Sequence, residues 1–452
     1  MRPQDVRLPP ELAERVARRA ADLLPLGSLS SDRREASEAE RSALADLAER
    51  LDNTYPYPDA HYAGQMLKPP HALAWAAYAT TMLLNPNNHA LDGGPATARM
   101  EREAVAELAG MFRLDPHLGH LTSSGTIANL EALWAARELA PDAAIVAGAN
   151  AHYTHARMAA VIGARHETVA EDERGRMDLD ALAGRLAAGG VGTVVATLGT
   201  TSLGALDDLE AIAALCARHG ARLHVDAAYG GFYALVAGTP DGVRRESFAA
   251  AARADSIVVD PHKHGLQPYG CGCVLFADPA VGRLYAHESP YTYFTSEDLH
   301  LGEISLECSR AGAAAAALWT TLRAFPLTAD GLGAFLGAAR RAGKQLAAAV
   351  EADERLALVV EPELDIVCPF ARLPSASAIG AASDTAFDDL AERGWHVAKL
   401  RLDTAWLRRR HPWIEADAPT TTVLRCCLMK PEHLAIADEL ADALSQALAT
   451  SD

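Results

Sequence analysis

Lysine is scarce in this 452-residue chain: five (Lys68, Lys263, Lys344, Lys399 and Lys430) of the 41 basic residues, the rest being arginine. The net charge of −18 and the lack of any basic block argue against nucleic acid or an anionic membrane as the main partner. No run approaches the ~18 uninterrupted apolar residues of a membrane span, and Met1-Arg2-Pro3-Gln4-Asp5 opens no apolar signal core, so a cytoplasmic location is expected. The seven cysteines are odd in number and form no Cys-x-x-Cys pair, which points to reduced, mostly buried thiols. The 17 histidines include no His-Glu-x-x-His, and His117/His120 and His152/His155 lack acids or cysteines at ligand spacing, so no metal is expected. Aromatics make up only 6% of the chain; half of it is apolar, enough for a large aliphatic core divided among two or three domains.

Against that background the position of one lysine is informative. Lys263 is the only lysine between positions 69 and 343, and it follows Ser256-Ile-Val-Val-Asp260-Pro-His. A comparable stretch, Arg222-Leu-His-Val-Asp226-Ala-Ala-Tyr-Gly-Gly231, precedes it. In each, a short β-branched run stops at a polar residue followed by turn formers, as a buried parallel strand does when it delivers side chains to the carboxyl edge of a sheet. One edge gains an acid, the other an amine. Pyridoxal phosphate requires that pair: an amine to hold its aldehyde as a Schiff base, and a carboxylate to keep the ring nitrogen protonated. Asp226 and Lys263 fit the two roles, with Asp260 and His262 beside the lysine. The plain alternative is a surface lysine next to a satisfied buried aspartate.

Upstream, Thr122-Ser-Ser-Gly-Thr126 runs into a strongly helical segment ending near Leu139. Small hydroxyl residues and a glycine at a helix start offer free backbone N–H groups and the positive end of the dipole, so Ser124, Gly125 and Thr126 are expected to cradle the phosphate. Val191–Leu198 reads as a strand ending in Gly199-Thr200-Thr201, which places Thr200 near the cofactor. Small residues after Asp226 matter too, since a bulky side chain at Ala228 would strike a ring lying over the strand. Strands and helices alternate from 120 to 276, the pattern of a parallel α/β sheet.

Taken in order, His120-Leu-Thr-Ser-Ser-Gly-Thr-Ile-Ala-Asn129, Asn150-Ala-His-Tyr153, Ala196-Thr-Leu-Gly-Thr-Thr201, His224-Val-Asp-Ala-Ala228 and Asp260-Pro-His-Lys263 resemble the group II pyridoxal-phosphate-dependent amino acid decarboxylases. The resemblance runs from about Tyr57 to Leu322. It implies the fold type I architecture: an N-terminal helical arm (1–55), a large, mostly parallel α/β cofactor domain (56–330) and a small α+β C-terminal domain (331–452). It also implies a homodimer embraced by the arms, with active sites near the subunit interface. His152 would lie flat on the cofactor ring, and a lid containing Ser289-Pro-Tyr-Thr-Tyr-Phe-Thr-Ser296 would supply Tyr291 or Tyr293 as proton donor. Tyr62 and Gln65 match a segment that borders the substrate.

Asn87, Asn88 and His89 in the turn-rich stretch 85–95 are further pocket candidates, with ordinary turn chemistry as the alternative. Arg310 either faces the pocket or caps a neighbour. The implied reaction is decarboxylation of an L-amino acid to its amine and CO2. The chain departs from many aromatic amino acid decarboxylases at His264-Gly265, where they carry tryptophan; here it is similar to archaeal tyrosine/aspartate decarboxylases and to the sphingosine-phosphate lyase branch. An aldehyde-forming carbon–carbon lyase or an aminotransferase is therefore the alternative. A regulatory cofactor-binding module without turnover finds no support in any appended basic segment. With no pair of arginines among the pocket candidates for a second carboxylate, an aromatic or neutral substrate side chain is favoured.

Overall fold

A computed structural model of the chain describes residues 9–23, 35–89, 93–285 and 304–449, with only the backbone of 21–23. Its central sheet has seven strands: β1 (Leu118–Thr122), β2 (Ala144–Gly148), β3 (His166–Val169), β4 (Val191–Thr197), β5 (Arg222–Asp226), β6 (Ser256–Val259) and β7 (Gly272–Phe276). They lie in the order β1-β7-β6-β5-β4-β2-β3. Only β7 runs against its neighbours, β1 and β6; the other pairings are parallel. The middle of the sheet is buried on both faces, and its residues are accordingly continuous and β-branched: Val194 and Val195 in β4, Val225 in β5, and Ile257, Val258 and Val259 in β6 all have no exposed surface. Each such side chain contributes roughly 1.5–3 kcal/mol when removed from water.

Local chemistry sets the helix limits. The helix Leu209–His219 starts where Asp208 accepts the Ala211 N–H (3.1 Å) and stops at Gly220, whose φ of +67° suits a residue without Cβ. Its buried stripe is Leu209, Ile212, Ala213, Leu215 and Cys216. Helix Ala72–Met82 follows the proline pair at 69–70, capped by His71 Nδ1 accepting the Leu73 N–H.

Beyond helix Gly333–Ala352, β8 (Leu356–Leu358), β9 (Ile366–Val367), β10 (Pro369–Ala371), β11 (Ala398–Asp403) and β12 (Thr420–Cys427) form two small antiparallel sheets: β12 lies between β11 and β9, and β8 pairs with β10. Helices Ala376–Glu392 and His433–Ala449 pack on them through Leu390, Leu440 and Leu444. Two contacts cross the expected boundaries. The Ala63 N–H donates to His396 O (2.7 Å) and the Cys427 N–H to Ala63 O (2.8 Å), so a segment assigned to the large domain extends the C-terminal sheet. One apolar cluster also continues from Leu121 and Leu198 to Leu364, Phe370 and Met429.

At the other end lie helices Pro10–Leu23 and Glu38–Asp52, the second opened by a Ser37/Glu40 capping box. Helix Glu38–Asp52 buries none of its residues. All seven cysteines are free thiols, and only Cys308 is exposed. Among the described residues no helix is long and apolar enough to cross a membrane.

Candidate active site

At the carboxyl ends of β4, β5 and β6, and at the start of helix Gly125–Leu139, lies a cavity of ≈ 250 Å³. Asp226, the last residue of β5, projects into it and is buried. Its Oδ2 lies 2.9 Å from His155 Nε2, and its Oδ1 accepts the Ala228 N–H at 3.1 Å. Burial alone would push this carboxyl up, but the hydrogen bond and charge of His155, the Lys263 ammonium and the Ala228 amide outweigh it and hold Asp226 well below the usual carboxylate range. The acid is therefore ionised at neutral pH.

Lys263 stands across the cavity, with Nζ 3.1 Å from Asp260 Oδ2. Desolvation acts to lower its pKa; the carboxylates of Asp260 and Asp226 overcome that and raise it. The Asp260 carboxylate also packs against the first residue of helix Gly125–Leu139: a Cβ on Gly125 would sit 2.4 Å from Asp260 Oδ2, so only hydrogen fits there. Asn129 ties that first turn down, donating to Gly125 O (2.9 Å) and contacting His224 Nε2 through Oδ1 (2.8 Å). His224 Nδ1 in turn meets Ser256 Oγ at 2.9 Å, and burial pushes this imidazole down to about 3, so it is neutral. A chain of hydrogen bonds thus locks the helix start to β5 and β6.

The other residues singled out in the sequence divide into two groups. Ser124, Gly125, Thr126, His152, Ala228, Asp260 and His262 line the cavity together with Asp226 and Lys263. His152 Nδ1 accepts the Thr154 N–H (3.2 Å), and burial lowers the ring's pKa, leaving a neutral imidazole with its proton on Nε2. Thr200 does not reach the cavity. Its Oγ1 accepts the Ala205 N–H at 3.0 Å inside its own turn, and the flanking Gly199 and Thr201 form the wall instead.

Nor does the chain bring Tyr62, Gln65, Asn88 or His89 to that wall. Tyr62 is buried edge-on against Tyr57 and beneath the Lys430 ammonium, while Gln65 is exposed. Asn88 commits its amide to Glu101 Oε2 (2.6 Å) and Thr97 Oγ1 (2.6 Å), and His89 donates its N–H to Asn87 Oδ1. Arg310 binds Glu101 and Leu121 O. Tyr291 and Tyr293 lie outside the described residues.

Two groups escaped the sequence reading. In the sequence His155 reads only as half of a metal pair, and its partner, Asp226, is 71 residues away. Arg425, on β12, is buried; its Nε donates to Ser202 O (3.2 Å) beside the cavity wall, and its Nη2 has no partner among the described residues. A lone arginine in a strand pattern gives no local sign of either property.

The donor set tests which group the cavity suits. Asp260 Oδ1, His262 Nδ1 and Thr197 Oγ1 are buried without protein partners. With a helix N-terminus, an ionised acid and a lysine converging on one space, the site matches a phosphorylated, aldehyde-bearing pyridine. Fold and site together define a pyridoxal-phosphate enzyme of fold type I. The model of the pyridoxal-dependent decarboxylase conserved domain matches residues 70–371, and the chain belongs to that family of carboxy-lyases.

A probable L-aspartate decarboxylase of Halobacterium salinarum is 34% identical over 340 residues, covering 75% of this chain and 87% of that protein. A probable L-tyrosine/L-aspartate decarboxylase of Methanothermobacter thermautotrophicus is 31% identical over 319 residues, 69% of this chain and 83% of its own length. Among solved structures, mouse CSAD in apo form superimposes with a TM-score of 0.79 at 22% identity, covering 97% of this chain and 99% of that one, a likeness of fold.

Proposed function

We propose that the protein converts an L-amino acid with an aromatic or uncharged side chain to its amine and CO2, with Lys263 as the residue that carries the cofactor. The observation that supports this most is the placement of Lys263 and Asp226 on one cavity at the N-terminus of helix Gly125–Leu139. Bound pyridoxal phosphate supplies an electron sink for the pair left on Cα when a bond to it breaks. The residues do the rest. Backbone N–H groups at Ser124, Gly125 and Thr126 would take the phosphate.

Asp226, held ionised by His155, would keep a proton on the ring nitrogen as a fixed counter-charge. Ala228 would leave room for the ring over β5, and His152, on the same cavity, would pack against the ring near the departing carboxylate. Asp260 orients the Lys263 amine. Arg425, bonded to Ser202 beside the wall, does not line the cavity and would bring its unpaired Nη2 to a substrate carboxylate only by turning inwards. None of the described residues lining the cavity is an arginine, which disfavours a substrate with a second carboxylate.

A homodimer is part of this reading: Leu44, Leu47 and Leu51, at i, i+3 and i+7 of helix Glu38–Asp52, are 66%, 51% and 60% exposed, a stripe that a second copy would cover. So are the division into an arm, a cofactor domain and a C-terminal domain, and a cytoplasmic location. The test is a screen of carboxyl-labelled L-amino acids with the holoenzyme. Equimolar labelled CO2 and amine support the proposal; an aldehyde or keto acid without CO2 refutes it.

A further inference from the structure

A second cavity, of ≈ 360 Å³, shares no lining residue with the first. We propose that it is a binding site for a small organic monocarboxylate with an apolar or aromatic tail, whose carboxylate is held by Lys68 with Lys430 beside it. Lys68 is buried, and among the described residues its Nζ meets only Met429 O, at 3.4 Å. Lys430 Nζ donates to Asp59 O and Tyr62 O (2.5 and 2.7 Å). Among the described residues neither ammonium has a carboxylate within ion-pair distance; their hydrogen-bond partners are all carbonyls. Burial pushes both lysines down to about 8, and Lys68 further depresses Lys430.

A buried ammonium satisfied only by carbonyls retains most of the desolvation cost of its charge, and a carboxylate relieves it. The charge at the wall sets the valence of the ligand. Two ammoniums face one carboxylate, Glu432, whose Oε1 is buried without a partner; the difference is one positive charge. Asp365, which also attracts Lys68, does not line this cavity, and Asp59 attracts Lys430 more weakly than Glu432 does. A monoanion balances the set, and a dianion overshoots it.

The rest of the wall selects the tail. Pro69, Leu266, Phe335 and Pro431 are apolar, and the volume accepts one aromatic ring. The site also lies directly behind the catalytic loop. Leu266 is three residues past Lys263, at φ +65°, and its carbonyl accepts the His71 N–H at 3.0 Å. A ligand seated there therefore touches a conformationally restricted residue on the lysine's own loop.

Benzoate is the probe, with benzyl alcohol as its uncharged counterpart, titrated calorimetrically into the holoenzyme. One benzoate per chain is expected, benzyl alcohol should not bind, Lys68→Arg should retain affinity, and Lys68→Met should weaken it about tenfold or more, the loss of one charge-assisted hydrogen bond. Equal affinity in Lys68→Met and wild type would overturn the proposal. A crystal of the wild-type holoenzyme grown with benzoate decides independently of any variant: a carboxylate at Lys68 supports the site, and density confined to the cavity at Lys263, or none, contradicts it.

Discussion

His155 Nε2 stands 2.9 Å from Asp226 Oδ2, with both side chains withdrawn from solvent. The acid that ends β5 is thus pinned by a histidine from a helix 71 residues earlier, and its second oxygen by the Ala228 amide of the following turn. Orientation and ionisation of Asp226 come from a residue that does not line the cavity.

Replacing His155 with alanine leaves that carboxylate buried with one fewer donor, a loss of about 3 kcal/mol. Because Asp226 is held below its ordinary value near 3.9, its contribution to stability is complete above that pH and is lost as pH falls towards the folded value. In the variant the folded value moves back up towards the ordinary one, so less of this stability is left to lose below that pH. Urea unfolding between about pH 3 and 7 should show the variant less stable than wild type at neutral pH, with the gap narrowing as pH falls below about 4, and kcat reduced more than KM.

Gly125→Ala introduces a Cβ where the Asp260 carboxylate already lies, 2.4 Å from Oδ2. The first turn of helix Gly125–Leu139 must move, and the phosphate cradle with it. Fluorescence titration of the apoenzyme with pyridoxal phosphate should give a dissociation constant raised by about tenfold or more, for one displaced charge-assisted contact.

Asp260→Asn removes the charge that contributes most to raising Lys263, so the amine's pKa falls and more of it is the neutral nucleophile at pH 7. Apoenzyme carrying this change should acquire the visible absorbance of the holoenzyme faster than wild type when mixed with pyridoxal phosphate. Stopped-flow absorbance provides the comparison, and a rate that does not change would count against the pair.

Lys68→Met should stabilise the protein. A fall in pKa from 10.5 to about 8 on burial corresponds to roughly 3 kcal/mol of cost at about 1.4 kcal/mol per pH unit. Between those two values the unfolded chain holds a proton that the native chain has released, so the cost is full below pH 8 and relieved as pH rises. Calorimetric melting should place the variant above wild type at neutral pH, with the gap closing towards about pH 10.

The local chemistry of the fold was legible in the sequence wherever a signal is short-range. Leu209–His219 can be read to the residue because Asp208 and Gly220 mark its ends, and β5 because an apolar run stops at Asp226. β11 was not, since Lys399, Arg401 and Asp403 alternate outwards on the edge of a small sheet and resemble a surface loop. The site followed the same rule. Ser124–Thr126, Asp226 and Lys263 sit in local strand-turn or turn-helix patterns and meet at the cavity. His155 and Arg425 acquire their roles only through contacts across 71 and 223 residues. Tyr62 and Asn88 have the composition of pocket residues but are taken up by packing and by the Glu101 network.

The account stands most directly on the amine at position 263. Purified enzyme and its Lys263→Ala variant, each supplied with pyridoxal phosphate, would be compared for visible absorbance and for labelled CO2 released from carboxyl-labelled L-amino acids. Wild type should show both and the variant neither, at unchanged melting temperature. Undiminished CO2 release by Lys263→Ala would contradict it.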